Sequence, residues 1–201
     1  MGWCGEPHDH PHVRIERGTL PSGLREAVLD LWCAVNDAGG AVGFLPGAPR
    51  ADVAAALSRH EAQMAAGYAT AVLLLEDAAD VEPGEASERA GRVVGLGFWG
   101  RGPNPLLDHT RTGHRIMTDP ARRGAGLGRL LMDAMHDAAR AEGVELVIVQ
   151  ARGGHGTERF YERCGYVETG RIPGVIRVAP GDDRDEITLA RRLDGRPLLG
   201  A

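Results

Sequence analysis

Lysine is missing from this chain altogether: all 23 basic residues are arginine. Its absence excludes lysine Schiff-base chemistry, a P-loop (whose lysine reaches the nucleotide phosphates) and a serine–lysine site of the class A β-lactamase kind. Cysteine is scarce and odd in number. Cys4, Cys33 and Cys164 stand far apart, with neither a disulfide framework nor metal-ligand spacing. A reducing cytoplasm is the expected setting. No apolar run approaches the ~20 residues that span a bilayer; the longest, Ala69 to Leu75, is strand-sized. Excess positive charge is lacking too. The formal net charge of −5 excludes a general nucleic-acid binder, which needs a basic surface. The first residues have no basic start followed by an apolar stretch, so no secretory signal is expected. Glu6 stands where a myristoylation signal wants Ser or Thr.

What is present is ordinary for a globular chain: 201 residues, 43% apolar and 25% charged. That length predicts one domain, over 12–201, behind a His- and Pro-rich arm at 1–11. Heavy Ala, Gly, Arg and Pro usage without Lys is the composition of a GC-rich bacterial genome. The arm ends in HDHPH at 8–12. In a Pro-broken terminus this reads as an adventitious histidine patch, and no metal site is expected.

Hydrophobic periodicity lays out the elements. HVRIER at 12–17 alternates as a first strand. Leu24, Val28, Leu31, Trp32 and Val35 recur at helical spacing, predicting a helix over 21–36 that Gly39 and Gly40 stop. A Gly/Pro loop at 40–49 leads to an alanine-rich helix over 51–66. Residues 69–76 form a buried-strand run, 77–91 an acidic loop, 92–100 a paired strand and 103–109 a further loop. A strand over 111–118 stops at Asp119-Pro120. After a glycine-rich turn at 122–128, Leu127, Leu130, Leu131, Ala134, Met135 and Ala138 define an amphipathic helix over 127–141. A buried strand over 144–151, a GGHG turn at 153–156 and a short helix over 157–164 follow. Strands over 165–171 and 186–192 close the chain. The order is not a strict βαβ alternation, so the fold class is α+β with a central mixed, mostly antiparallel sheet flanked by helices.

The turn RRGAGLG carries the strongest chemical signal. Closely spaced glycines let several backbone N–H groups face one point, and the following helix adds its own unpaired N–H groups and positive dipole end. Such a turn holds a phosphate or pyrophosphate, with Arg122 and Arg123 supplying charge. The dinucleotide pattern GxGxxG fails, because Arg129 and Leu131 fall where its third glycine belongs. What remains is RxxGxG: Arg123, Gly126 and Gly128. This spacing, followed by a long amphipathic helix, a buried strand and the FYERCGY segment at 160–166, resembles the GNAT superfamily of N-acetyltransferases. AGGAVGF at 38–44, IPGV at 172–175 (read as a turn) and the PGDDRDEITLARRL that follows resemble its tabtoxin resistance branch, which acetylates an amino-acid-like β-lactam. The resemblance spans about residues 40–193 and is firmest over 114–175.

The resemblance implies direct transfer of an acetyl group from acetyl-CoA to the amine of a small molecule, such as an amino-acid-like antibiotic or metabolite, with no metal. The backbone N–H groups of Gly124, Ala125, Gly126, Leu127, Gly128 and Arg129 would hold the pyrophosphate. The strand edge Ile116, Met117 and Thr118 would pair with the pantetheine amides. The family often has Asn where this chain has Gly154. Tyr161 would protonate the leaving sulfur, since a phenol with pKa near 10 matches a thiolate. The branch carries acidic residues where this chain has Thr112 and Gln150, so His114, on the same strand face as Thr112, is a candidate base, with a water relay to solvent or an already neutral amine as the alternatives. Phe44 and Trp99 are candidate walls of the acceptor pocket. No nucleic-acid or membrane partner is expected, and either a monomer or a homodimer is compatible. The missing acids leave open a second reading: a GNAT-fold acyl-CoA sensor without turnover.

Overall fold

The computed structural model describes residues 12–76 and 92–198. A seven-stranded sheet runs in the order β1-β2-β3-β4-β5-β7-β6. Its strands are β1 (Val13–Gly18), β2 (Ala69–Glu76), β3 (Arg92–Gly100), β4 (Thr110–Thr118), β5 (Leu146–Arg152), β6 (Val167–Ala179) and β7 (Asp182–Arg192). The helices are α1 (Arg25–Asp37), α2 (Arg50–Ala65), α3 (Leu127–Ala141) and α4 (Thr157–Arg163). Every neighbouring pair is antiparallel except β4 with β5. The α+β expectation, mostly antiparallel with flanking helices, is borne out. The expected arm at 1–11 and the acidic loop at 77–91 lie outside the described residues. No helix of the described residues is long and apolar enough to cross a membrane.

The sheet separates two cores. α3 and α4 cover one face, where Leu131, Met132, Met135, Trp99, Val149 and Ile187 are buried. α1 and α2 cover the other, burying Trp32, Leu57, Leu73, Leu96 and Phe98. Adjacent β3 residues thus serve opposite cores, as period-2 alternation requires. Phe98 faces α2, while Trp99 lies under α3 and donates from Nε1 to the Met135 carbonyl at 2.7 Å.

The helices start where the capping chemistry predicts, within a few residues. Pro21 and Ser22 open a 3-10 turn that runs into α1, and Pro49 precedes α2 with its fixed φ. Two expectations at the C-terminal end change. IPGV at 172–175 is not a turn. It lies inside β6, where the register slips by two residues between Ile172 and Ile176 and Gly174 takes φ 63°. The reversal falls instead at Pro180-Gly181, so β6 and β7 are longer than their apolar cores indicated.

Leu131 is fully buried between α3 and the sheet. Leu131→Ala is expected to lower unfolding free energy by about 2–5 kcal/mol, measured as a shift in the urea midpoint at unchanged slope.

Candidate active site

The parallel pair β4–β5 sets the geometry. It holds for three rungs only: Thr110 with Leu146, Arg111 with Val147, Thr112 with Ile148. Beyond Thr112 the strands diverge. β4 keeps its pairing to β3 through His114, Met117 and Thr118, so its other edge, from Gly113 onward, has no strand partner among the described residues. A free extended edge is a template for amide-bearing ligands. The predicted Ile116–Thr118 edge lies there. Met117 turns its side chain into the α1/α2 core, leaving backbone as its contribution.

A bulge then changes which side chains face the opening. Phe98 pairs with His114 and Leu96 with Met117, three residues of β4 against two of β3. Arg115 absorbs the extra residue at φ 51°, the only positive φ among the described non-glycine residues. Gly113 faces α3, against Ile116, Trp99 and Val149. His114 and Arg115 both face α1 and α2: His114 lies 6.3 Å from the His60 ring, and Arg115 sits 5.6 Å from the centroid of Trp32. Simple alternation would have put them on opposite faces.

At the end of β4, the glycine-rich turn has the predicted form. Gly124 and Gly126 take φ 87° and 80°, and Gly126 is the left-handed N-cap of α3. Among the described residues the amides of Gly124, Gly126, Leu127 and Gly128 have no acceptor. Two of the expected donors are already used: Ala125 N–H donates to the Arg122 carbonyl and Arg129 N–H to that of Gly126. Leu127 is a core side chain. Gly128 lies under Phe160, whose ring would stand a tight 3.3 Å from any Cβ. The charges are redistributed too. Arg122 donates to both carboxylate oxygens of Glu76, at 2.5 and 2.7 Å. Arg129 bonds Asp133 at 2.9 Å and the Arg163 carbonyl at 3.1 Å. Arg123, exposed and without a partner among the described residues, is the free cation beside the turn.

Tyr161 is buried in the α3/α4 core, its ring 5.4 Å from Phe160 and 5.6 Å from Tyr166. Burial raises its pKa well above the usual phenol value, with Cys164 adding to the effect. The phenol therefore holds its proton at neutral pH. His114 behaves oppositely: desolvation, then Arg115, lowers its pKa, leaving the imidazole neutral and able to accept a proton. Tyr161 and His114 belong to opposite faces of the sheet. His114 lines a cavity of about 290 Å³ with Gln63, Tyr68, Gly100, Arg101, Gly102 and Pro103.

The two predicted pocket walls fare differently. Trp99 is buried under α3 and cannot reach an acceptor. Phe44 is partly buried on the α1–α2 loop, packing on Trp32 at 6.1 Å between centroids, beside Gly43 at the opening. Thr112 holds the last β4–β5 rung. Gln150 donates to Glu186 Oε1 at 3.1 Å. This carboxylate on β7, on the α1/α2 face, stands near where the branch has its acid, and sequence reasoning missed it. The signal was the alternation of Glu186 and Thr188 with inward Ile187 and Leu189. His60, Arg115 and Arg152 were missed as well. A Cβ at Gly154, whose φ is 88°, would meet Arg184 Nη1 at 2.0 Å, so that guanidinium would have to move aside for an Asn. Among the described residues no His/Cys/Asp/Glu group is placed to hold a metal ion.

The acetyltransferase (GNAT) domain family matches residues 85–168. Solved structures agree over nearly the whole chain. A proposed GNAT-family acetyltransferase from Desulfovibrio desulfuricans is 25% identical, covering 90% of this chain and 99% of its own, with TM-score 0.64. A proposed phosphinothricin N-acetyltransferase is 18% identical over 90% of this chain and 99% of that one, with TM-score 0.68. YncA, a proposed acetyltransferase from Salmonella typhimurium solved with its cofactor acetyl-CoA, is 18% identical over 94% of this chain and 99% of its own, with TM-score 0.67. The fold is thus that of GNAT acetyltransferases, and residues 85–168 match their domain.

His60 stacks on Phe98 at 4.4 Å, and burial pushes its pKa down to about 4, with Arg115 and His114 adding to the effect. An unfolded histidine titrates near 6.5. Between pH 6.5 and 4 the unfolded chain therefore binds more protons, and stability falls as pH drops through that window. In His60→Gln the loss of stability between pH 6.5 and 4 is expected to be shallower, as read from urea midpoints across that range.

Proposed function

We propose that this chain is an acetyl-CoA-dependent N-acetyltransferase acting on the amine of a small, amino-acid-like molecule, in a bacterial cytoplasm and in a detoxifying or self-protecting role. The observation that carries the reading is the pairing of an amide-lined turn at the start of α3 with the unpartnered edge of β4. The first suits a pyrophosphate and the second an extended amide chain. The acetyl-CoA bound by the Salmonella neighbour and the acceptor in the name of the phosphinothricin neighbour support it.

The residues present fit the donor. The amides of Gly124, Gly126, Leu127 and Gly128 would hold the pyrophosphate with Arg123 beside them, and the edge from Gly113 to Thr118 the pantetheine arm. When bound, CoA supplies an activated thioester. Transfer forms an amide bond at the acceptor nitrogen, breaks the carbon–sulfur bond and releases a thiol. His114, neutral at physiological pH, takes the amine proton from the α1/α2 side, and Tyr161, protonated by virtue of its burial, gives one to sulfur from the α3/α4 side. The fork between β4 and β5 is the passage joining the two faces.

Calorimetric titration with acetyl-CoA, CoA and ATP tests the donor site. Micromolar binding of both CoA forms, lost in Gly126→Glu, is expected, because Gly126 is left-handed and a Glu brings a like charge to the phosphates. Absence of any CoA binding would sink the proposal. Tyr161→Phe is expected to lower kcat by about 10²–10⁴-fold while the dissociation constant for CoA stays unchanged. An unaltered kcat would remove Tyr161 from the mechanism, and CoA binding without turnover of any amine by the unaltered chain would identify a sensor instead.

A further inference from the structure

Most arginines of this chain spend their charge on carboxylates: Arg25, Arg50, Arg92, Arg111, Arg122, Arg171, Arg177, Arg184 and Arg192 all do. Arg115 and Arg152 do not. Each is partly buried and makes no ion pair among the described residues, although Asp182 attracts Arg152 from beyond contact distance. Theirs are the only arginine Nε atoms there that are buried without an acceptor. Both stand just past the last β4–β5 rung, Arg115 three residues beyond Thr112 and Arg152 four beyond Ile148. Both face α1 and α2, and both rest against the α1–α2 loop. The Arg115 guanidinium fills the space where Gly43 would carry a Cβ, and Arg152 Nη2 donates to the Gly39 carbonyl at 2.9 Å.

Arg152 has a carboxylate at hand and does not take it. Glu186 is its register partner on β7, yet Arg152 turns to Gly39 and to His155 Nε2 at 3.3 Å, while Glu186 accepts from Gln150. Guanidinium stays charged when buried, and a buried charge without a counter-ion is costly. Two such cations resting on the same α1–α2 loop, one next to His114 in β4 and the other in register with Glu186, suit an anionic group on whatever enters. Acceptors that are amines alone would leave both unmatched.

We infer that Arg115 and Arg152 form the recognition site for a carboxylate (or similar oxyanion) of the acceptor, so that the preferred substrates are zwitterionic amino acids, with Glu186 available to the ammonium end. This rests on the acetyltransferase reading above and narrows its acceptor class.

The test is calorimetry in the presence of free CoA, which gives a complex that cannot turn over. The twenty common L-amino acids are each compared with their α-carboxamides. At least one acid is expected to bind about tenfold to a hundredfold more tightly than its amide. Arg115→Met and Arg152→Met should erase the difference, and Arg115→Lys should keep part of it. Unchanged CoA affinity in these variants shows that they are folded and that the donor site is separate. Equal binding of acids and amides, no binding of either, or a preference that survives in Arg115→Met overturns the inference. If CoA itself fails to bind, the acetyltransferase reading falls on its own, and the same titrations without CoA still decide whether the arginine pair selects an anion.

Discussion

Three rungs of parallel pairing between β4 and β5, followed by divergence, are what the rest of this molecule is arranged around. A continuous sheet would seal its two faces from each other. Here the hydrogen bonds stop at Thr112 and Ile148, and the strands separate where Gly113 lets Ile116, Trp99 and Val149 crowd against bare backbone. The sheet stays in one piece because each arm of the fork is held from outside: β4 by β3, β5 by β7. The two cores hold those outer strands in place. The opening thus depends on hydrophobic packing some distance from it, with α3 and α4 on one face and α1 and α2 on the other.

The bulge at Arg115 converts this opening into a site. One extra residue in β4 keeps the ladder to β3 intact on both sides and turns a side chain that alternation would have sent into the α3 core toward Trp32 and Gly43 instead. A non-glycine residue at φ 51° costs conformational energy, and the surrounding pairings hold it there. His114 and Arg115 then share one face, and the guanidinium depresses the imidazole pKa along with desolvation. Burial acts on Tyr161 in the other direction, raising a phenol that must keep its proton. The two shifts run in opposite directions on opposite faces of the sheet, in the sense that the proposed transfer needs.

Charge is distributed with the same economy. Arg122 and Arg129, next to the amide-lined turn, are tied to Glu76 and to Asp133, so the turn works mainly through backbone N–H groups and the end of α3. Arg123 stays free beside the turn, and Arg115 and Arg152, which make no ion pair among the described residues, stand on the α1/α2 side of the sheet. The proposed donor and acceptor sites thus draw on different groups, backbone amides at the turn and guanidinium groups across the sheet.

The sequence by itself determined the elements and the turn. Periods of 2 and 3.6, with Gly and Pro as stops, are local properties, so β2, β3, α3 and the RRGAGLG turn were legible to within a few residues. So were Tyr161 and His114 as chemically apt side chains. Tertiary structure alone decided which of these residues meet. Trp99 reads like Phe98 in the chain and lies in the other core. Arg115 would face α3 by simple alternation and faces α1 and α2 instead, because a bulge has no signature in its own strand. Gly154 has its space taken by Arg184, thirty residues on. Glu186 acquires meaning only through its ladder to β5. Local patterns are set by neighbours along the backbone; register, bulges and ion-pair choices are set by partners far away in the chain, and those exist only once the sheet has formed.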